Sequence, residues 1–275
     1  MNLRALPVLA VALAIVLATG CPGPTRLARP YSAPAANELL ASLTARQAAI
    51  RGISMEARAT SWLGGERVRG TVQMLAMRDG RLRFEAEVSL QGTVAALAVD
   101  AGGFTYLDHQ KHEFKKGPAC PSNVASLLRI PLKPTEVAAM LLGDAPAPTD
   151  PTLASIEWDD LRGVDLLVYP GPGESTLWLG FRRGDPRKPA WDLVFLEGME
   201  KGADNRWRVA YDEPKDVDGV PLPQRIRFAE PGKSFDDGVE IKVRDRSLNP
   251  EPADGAFVLD APAGYKVIAT GCGTP

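Results

Sequence analysis

Histidine is nearly absent from this chain, with two residues in 275, and cysteine is scarce, with three. His109 and His112 stand three apart in a strand-like run, and side chains so spaced on a strand face opposite ways. They make poor joint ligands, and no cysteines show metal-binding spacing, so no metal is expected. An excess of one charge is lacking too. The 32 Lys and Arg nearly balance the 34 Asp and Glu, which leaves no basic field to draw in nucleic acid. After Ala18 no apolar run approaches the roughly 20 residues of a membrane-crossing helix. No glycine-rich phosphate loop joins a strand to a helix. Gly171-Pro172-Gly173-Glu174-Ser175 puts the serine in the wrong place for a nucleophile elbow. Asp216-Val217-Asp218-Gly219 lacks the remaining ligands of a calcium loop and reads as a hairpin turn. With no catalytic constellation, the chain is not expected to be an enzyme, and no cofactor is expected.

What is present starts at the N-terminus. Arg4 precedes an apolar segment from Leu6 to Ala18, and small residues follow in Leu17-Ala18-Thr19-Gly20-Cys21. This is the layout of a secretory signal, too short to span a bilayer. The stretch ending at Cys21 resembles the lipobox of bacterial lipoproteins. The resemblance implies a signal peptide over 1–20 and a Cys21 that is acylated, with palmitate-type chains, as the first mature residue. Two or more acyl chains anchor a protein stably. Pro22 occupies the position where, in many bacteria, an acidic residue holds lipoproteins at the inner membrane. The expected location is therefore the outer membrane, lipid-anchored and facing the periplasm.

If Cys21 carries lipid, Cys120 and Cys272 remain. Outside the cytoplasm their simplest use is a disulfide that pins the C-terminal tail to the middle of the chain. Two free thiols are the alternative.

Residues 21–36 are rich in Pro, Ala and Arg without apolar period and read as a flexible tether. One domain is expected over 37–275. It opens with a helix from Asn37, a plausible N-cap, to Ile50, with Leu39, Leu40, Leu43 and Ile50 on one face. Hairpin signals follow, including Asp79-Gly80 and Gln91-Gly92. Between them Arg81 to Val88 alternates strictly, with its charges on one face. Val94 to Val99 and Phe104 to Leu107 continue the meander. A helical insertion is expected near 121–143, carrying Val124, Leu127 and Leu128, then Val137, Met140 and Leu141. Strand patterns return over 155–161, 164–169, 175–181, 191–196, 206–212, 224–230 and 239–246, and Phe257 to Tyr265 is a last apolar patch.

Such a sheet, apolar on one face and charged on the other, must pack against another layer or curl on itself. The fold is expected to be mainly β, either a sandwich or one curved sheet closed by helices. The alternations place Val72, Met74, Leu82, Phe84, Ala86, Val88, Leu193, Phe195, Trp207, Val209, Ile226 and Phe228 inward. Whether that interior is filled or hollow stays open. Trp62 and Leu63, beside Gly64-Gly65, either fold back onto the core or form an apolar tip that touches a membrane.

The order of parts resembles the lipoprotein-localisation superfamily, which comprises a periplasmic lipoprotein carrier and an outer-membrane receptor. Arg81-Leu82-Arg83-Phe84-Glu85 is similar to its basic-apolar strand. Leu141-Leu142-Gly143-Asp144-Ala145-Pro146 and Leu222-Pro223-Gln224-Arg225-Ile226 resemble elements of the receptor branch. Phe257-Val258-Leu259-Asp260-Ala261-Pro262-Ala263-Gly264 is similar to a carrier-like ending. The resemblance implies a half-open antiparallel barrel with a helical lid and a cavity for acyl chains, lined by the twelve inward residues. The expected ligand is the acyl chain of a lipoprotein or another lipid, bound by a monomer, with a periplasmic carrier protein as partner. The alternative is a structural or accessory lipoprotein with a packed, non-binding interior.

Overall fold

The structure, a computed structural model, describes residues 25–63, 66–88, 92–171, 174–183 and 191–273, with all their side chains except those of 62, 63, 66 and 128. The leader and Cys21 lie outside the described residues.

Three helices are described: α1 (Ala36–Ala49), α2 (Pro121–Leu128) and α3 (Pro134–Leu141). The strands of the first half are β1 (Gly52–Leu63), β2 (Glu66–Met77), β3 (Leu82–Val88), β4 (Gly92–Asp100), β5 (Gly103–Asp108) and β6 (Glu113–Gly117). Those of the second half are β7 (Ser155–Asp159), β8 (Val164–Pro170), β9 (Thr176–Arg183), β10 (Trp191–Met199), β11 (Trp207–Val217), β12 (Val220–Ala229), β13 (Val239–Leu248) and β14 (Lys266–Ala269). All belong to one sheet of 14 strands, in the order β14-β6-β5-β4-β3-β2-β1-β13-β12-β11-β10-β9-β8-β7. Each half is a meander, and the two join where β13 pairs with β1. The sheet is mainly antiparallel, curved and open, with β14 and β7 as its edges. β14 alone runs parallel to its neighbour, β6.

The alternations set the faces. Met55, Met74, Leu82, Phe84, Leu97 and Phe104 share the concave side with Val209, Ile226, Phe228 and Ile241, all buried. The helices fill much of that concavity. α1 contributes Leu39 and Leu43, and every residue of α3 from Glu136 to Leu141 is buried. The Glu136 carboxylate accepts the Lys133 N–H at 2.9 Å, closing a capping box at the N-terminus of α3. Burial pushes its carboxyl upward despite that bond.

Several details depart from the expectations. Ala35, not Asn37, occupies the N-cap of α1, and no side chain caps it. The other end is held from a distance, where Asn249 donates to the Ala49 carbonyl at 2.9 Å and accepts the Arg51 N–H at 2.6 Å. His109 and His112 lie on the turn between β5 and β6, not within a strand. There both rings meet Tyr265, and His109 Nδ1 lies 2.8 Å from the Tyr265 hydroxyl. Part of the expected tether is described, and several of its residues touch the body of the fold. The Leu27 N–H donates to Asp160 at 2.7 Å and the Trp158 indole donates to the Leu27 carbonyl at 2.8 Å. Arg29 pairs with Asp165 at 2.8 Å, and Tyr31 stands edge-on to Trp158 and Trp191. The segment thus reaches across β7 and β8 to Trp191 of β10.

Cys120 and Cys272 form a disulfide across 152 residues. In the chain-entropy account a loop of that length is worth on the order of 5 kcal/mol. The bridge joins the N-cap of α2 to the tail beyond β14. Upstream of β14, Leu259 and Tyr265 cover Ala96, Leu107 and Phe114 on the convex face. This explains why β4 is buried on both faces from Ala95 to Val99.

Candidate functional site

Along the inner face of β1 to β4, side-chain size falls toward one end. Met55 faces Met74 and Phe84 faces Leu97 at the filled floor, whereas Ala59 faces Gly70 and Ala86 faces Ala95 near the hairpin ends. Space that large residues fill at the floor is left open there. The result is a hollow of about 310 Å³ between the sheet and α2. Its walls include Ala59, Val72, Ala86, Ala95, Tyr106 and Leu127, together with the polar Arg69, Glu87, Asp108 and Gln110. Burial, helped by Asp108, pushes the Tyr106 phenol up to about 12. Val68 and Val88 stand exposed at the rim, 49% and 38% accessible.

A second hollow of about 300 Å³ shares Ser61, Arg129 and Val239 with the first. Its remaining lining is mostly charged: Glu230, Lys233 and Asp237 beside Phe228 and Gly238. Arg129 is the C-cap of α2 and takes a left-handed conformation, φ 59°, where glycine is favoured. Among the described residues its side chain makes no hydrogen bond and no ion pair.

A larger crevice of about 600 Å³ opens elsewhere. β10 pairs with β11 only from Phe195 to Gly198, so Trp191 to Val194 part from the end of β11. The crevice is walled by Arg46, Arg182, Asp192, Arg208, Asp212 and Glu213 among others. Behind the crevice is the Leu141–Pro146 turn. Gly143 has φ +64°, and a Cβ there would stand 2.7 Å from Pro223 Cδ. The two sequence elements that resemble the receptor branch therefore touch one another. Asp144, fully buried, pairs with Arg78 at 2.8 Å, and its backbone carbonyl accepts the Tyr211 hydroxyl at 2.9 Å. Burial outweighs Arg78 and holds the Asp144 carboxyl above its ordinary range. This turn is a fastening between helices and sheet.

The expected lining residues divide among these places. Val72, Ala86 and Val88 line the hollow beside α2. Phe228 lines the charged one. Met74, Leu82, Phe84, Trp207 and Ile226 belong to the packed core. Leu193, Phe195 and Val209 border the crevice. Phe195 departs from the expected face. A bulge between Leu193 and Phe195 turns its ring to the convex side, over Gly180, with the Arg162 guanidinium 4.5 Å from its centre. Leu196 takes the inward place and is buried. Trp62 and Leu63 end β1 near the mouth, and their side chains lie outside the described residues. Sequence reading missed Ala59, Gly70, Ala95, Tyr106 and Arg129. The signal for the first three was a run of small residues at inward positions on neighbouring strands.

No protein-family model and no curated protein matches the chain. Solved structures do. A LolA superfamily protein from Nitrosomonas europaea superposes with a TM-score of 0.53 at 12% identity, over 82% of this chain and 99% of that one. The fold is LolA-like. A protein described as an outer membrane lipoprotein-sorting protein domain, from Vibrio parahaemolyticus, gives 0.53 at 10% identity, over 82% and 97%. A DUF1329 family protein from Desulfovibrio piger gives 0.54 at 10% identity, over 81% and 95%. At these identities the likeness is one of LolA-like architecture, which matches the curved open sheet with its helices in the concavity. Among the described residues no helix is long and apolar enough to cross a membrane.

Proposed function

We propose that this protein binds an acyl chain in the hollow between α2 and the sheet, without covalent chemistry, and serves lipoprotein or lipid localisation at the outer membrane. The observation that carries the reading is the hollow of about 310 Å³, with Ala59, Val72, Ala86, Ala95 and Leu127 among its walls, in a fold shared with a lipoprotein-sorting domain. A periplasmic carrier is the matching partner in that reading. Ala86→Trp tests it. The indole would enter the hollow rather than the packed floor, so stability should change by no more than about 1 kcal/mol, below the usual overpacking range. Binding of a fluorescent fatty acid, followed by its emission, should be lost. Retention of binding in the variant would move the site elsewhere. A native protein that binds no fatty acid would favour the second reading, a structural accessory lipoprotein. That reading draws support from the filled floor and from the buried α3.

Attachment through lipid on Cys21 belongs to the same proposal. Cys21→Ser should shift the protein from the membrane pellet to the soluble fraction on cell fractionation. A variant that still pellets in high salt would overturn the anchor.

A further inference from the structure

We infer that the Cys120–Cys272 disulfide is a redox latch on α2: exchange with a dithiol opens it, frees α2 from the C-terminal tail and unseals the hollow that α2 walls. The inference rests on the acyl-binding reading for what the hollow holds, and adds to it the control of access.

α2 and α3 are held in different ways. α3 is buried from Glu136 to Leu141. Among the described side chains of α2 only Asn123 and Val124 are buried, and Leu127 is half-buried against the core. One valine is a small anchor, because apolar attachment scales with the area removed from water. Beyond its C-terminus the chain is fixed, since Ile130 and Leu132 are buried. Its N-terminus is fixed by the tail. Cys120, the N-cap, is bonded to Cys272, and the Gly273 N–H donates to the Ser122 hydroxyl at 3.2 Å. Asn123 donates to the Pro118 carbonyl at 2.9 Å, which ties the helix to its own approach and not to the layer beneath. Ser126 and Leu127 of this helix line the hollow.

The tail is lightly held in turn. β14 is four residues long, pairs in parallel at the edge of the sheet, and none of its residues is buried. Parallel pairing is the slightly weaker kind. The disulfide therefore joins two weakly packed pieces, and each keeps the other in place.

The bond is also placed to exchange. Cys272 is exposed and Cys120 half-buried, so an incoming thiolate reaches the Cys272 sulfur. A bond forms between the two, and the breaking bond releases Cys120 as a thiolate. That thiolate is left at the N-terminus of α2, where free N–H groups and the helix dipole favour negative charge. The Ser122 hydroxyl lies 3.6 Å from its Sγ. A leaving thiolate stabilised in this way speeds exchange. The second thiol of the dithiol then displaces Cys272 from the mixed disulfide. Two cysteine thiols and one oxidised dithiol result, and the two protons of the dithiol pass to the cysteines.

Hydrogen-exchange mass spectrometry of the purified full chain, before and after dithiothreitol, tests the latch. Peptides over 121–129 and 266–273 should exchange about tenfold or more faster in the reduced protein, while α3 and β1 to β3 stay unchanged. The double variant Cys120→Ala/Cys272→Ala should match the reduced protein without any dithiol and should not respond to it. Release of a fluorescent fatty acid, followed by stopped flow, should be about tenfold faster from the reduced protein. Unchanged exchange over 121–129 overturns the latch. So does faster exchange across the whole sheet, which would make the disulfide a staple of the entire fold. A disulfide that resists dithiothreitol while the fold persists overturns it as well. Faster exchange over 121–129 with unchanged release overturns the control of access and leaves α2 latched for another purpose. If the native protein binds no fatty acid, the acyl-binding reading falls, and the exchange measurement still decides whether α2 is latched.

Discussion

Phe84→Ala is expected to destabilise the protein by about 3–5 kcal/mol, the full cost of truncating a packed phenylalanine. Phe84 has no accessible surface. It stands on the inner face of β3 between Met74 on β2 and Leu97 on β4, and both of those are buried. It lines none of the hollows described above. Ala86, two residues further along the same face, borders the hollow. The floor and the site are thus neighbours on one strand with opposite responses to a change in volume. Denaturant unfolding of the two variants reads both. A loss below about 1.5 kcal/mol for Phe84→Ala would mean that the floor is loose and the hollow reaches deeper.

Asp144→Ala should cost about 3 kcal/mol, because it leaves Arg78 half-buried without its partner and frees the Ala145 N–H. The Asp144 carboxylate lies at 0% exposure, whereas 27% of the Arg78 side chain is accessible, so solvent moderates the loss on one side only. The Arg78→Ala/Asp144→Ala pair should cost less than the sum of the single changes, since neither charge is then left alone. Thermal melts of the three variants check this. Additive losses would show that the ion pair contributes nothing beyond its members. Asp144 also sits in the turn onto which Pro223 closes, so its loss should loosen α3 against β12 before it affects the remote hollow.

The strands and their inward faces were legible because charge and apolarity alternate so regularly at Arg81–Val88 and Val239–Arg246. The disulfide was legible by elimination, once Cys21 was set apart. The curved open form was not decidable from alternation and came from the resemblance. Phe195 was misplaced because a bulge reverses the alternation without a mark in composition, and only the pairing of Leu193 with Phe181 and Phe195 with Gly180 reveals it. The site itself was hidden for a different reason. Apolar periodicity reports which face is inside, not how much volume that face fills. The inward list, drawn from alternation alone, set Phe84 and Trp207 beside Val72 and Ala86 without distinction, yet the hollow exists where Ala59, Gly70, Ala86 and Ala95 are small. The place of Arg129 between two hollows could not be found from sequence, since it depends on where α2 ends.

The docking of residues 25–35 sets a short leash. Between Cys21 and Arg26, whose guanidinium pairs with Asp160 at 2.7 Å, the chain can reach about 17 Å at most. A lipid on Cys21 would therefore hold the whole body within one small-protein radius of the bilayer, always by the same corner. Leu27 and Leu161 are exposed at that corner, with Arg26 and Arg162 beside them. Such a body would diffuse in two dimensions with one orientation, and whatever docks on it would meet the same face each time.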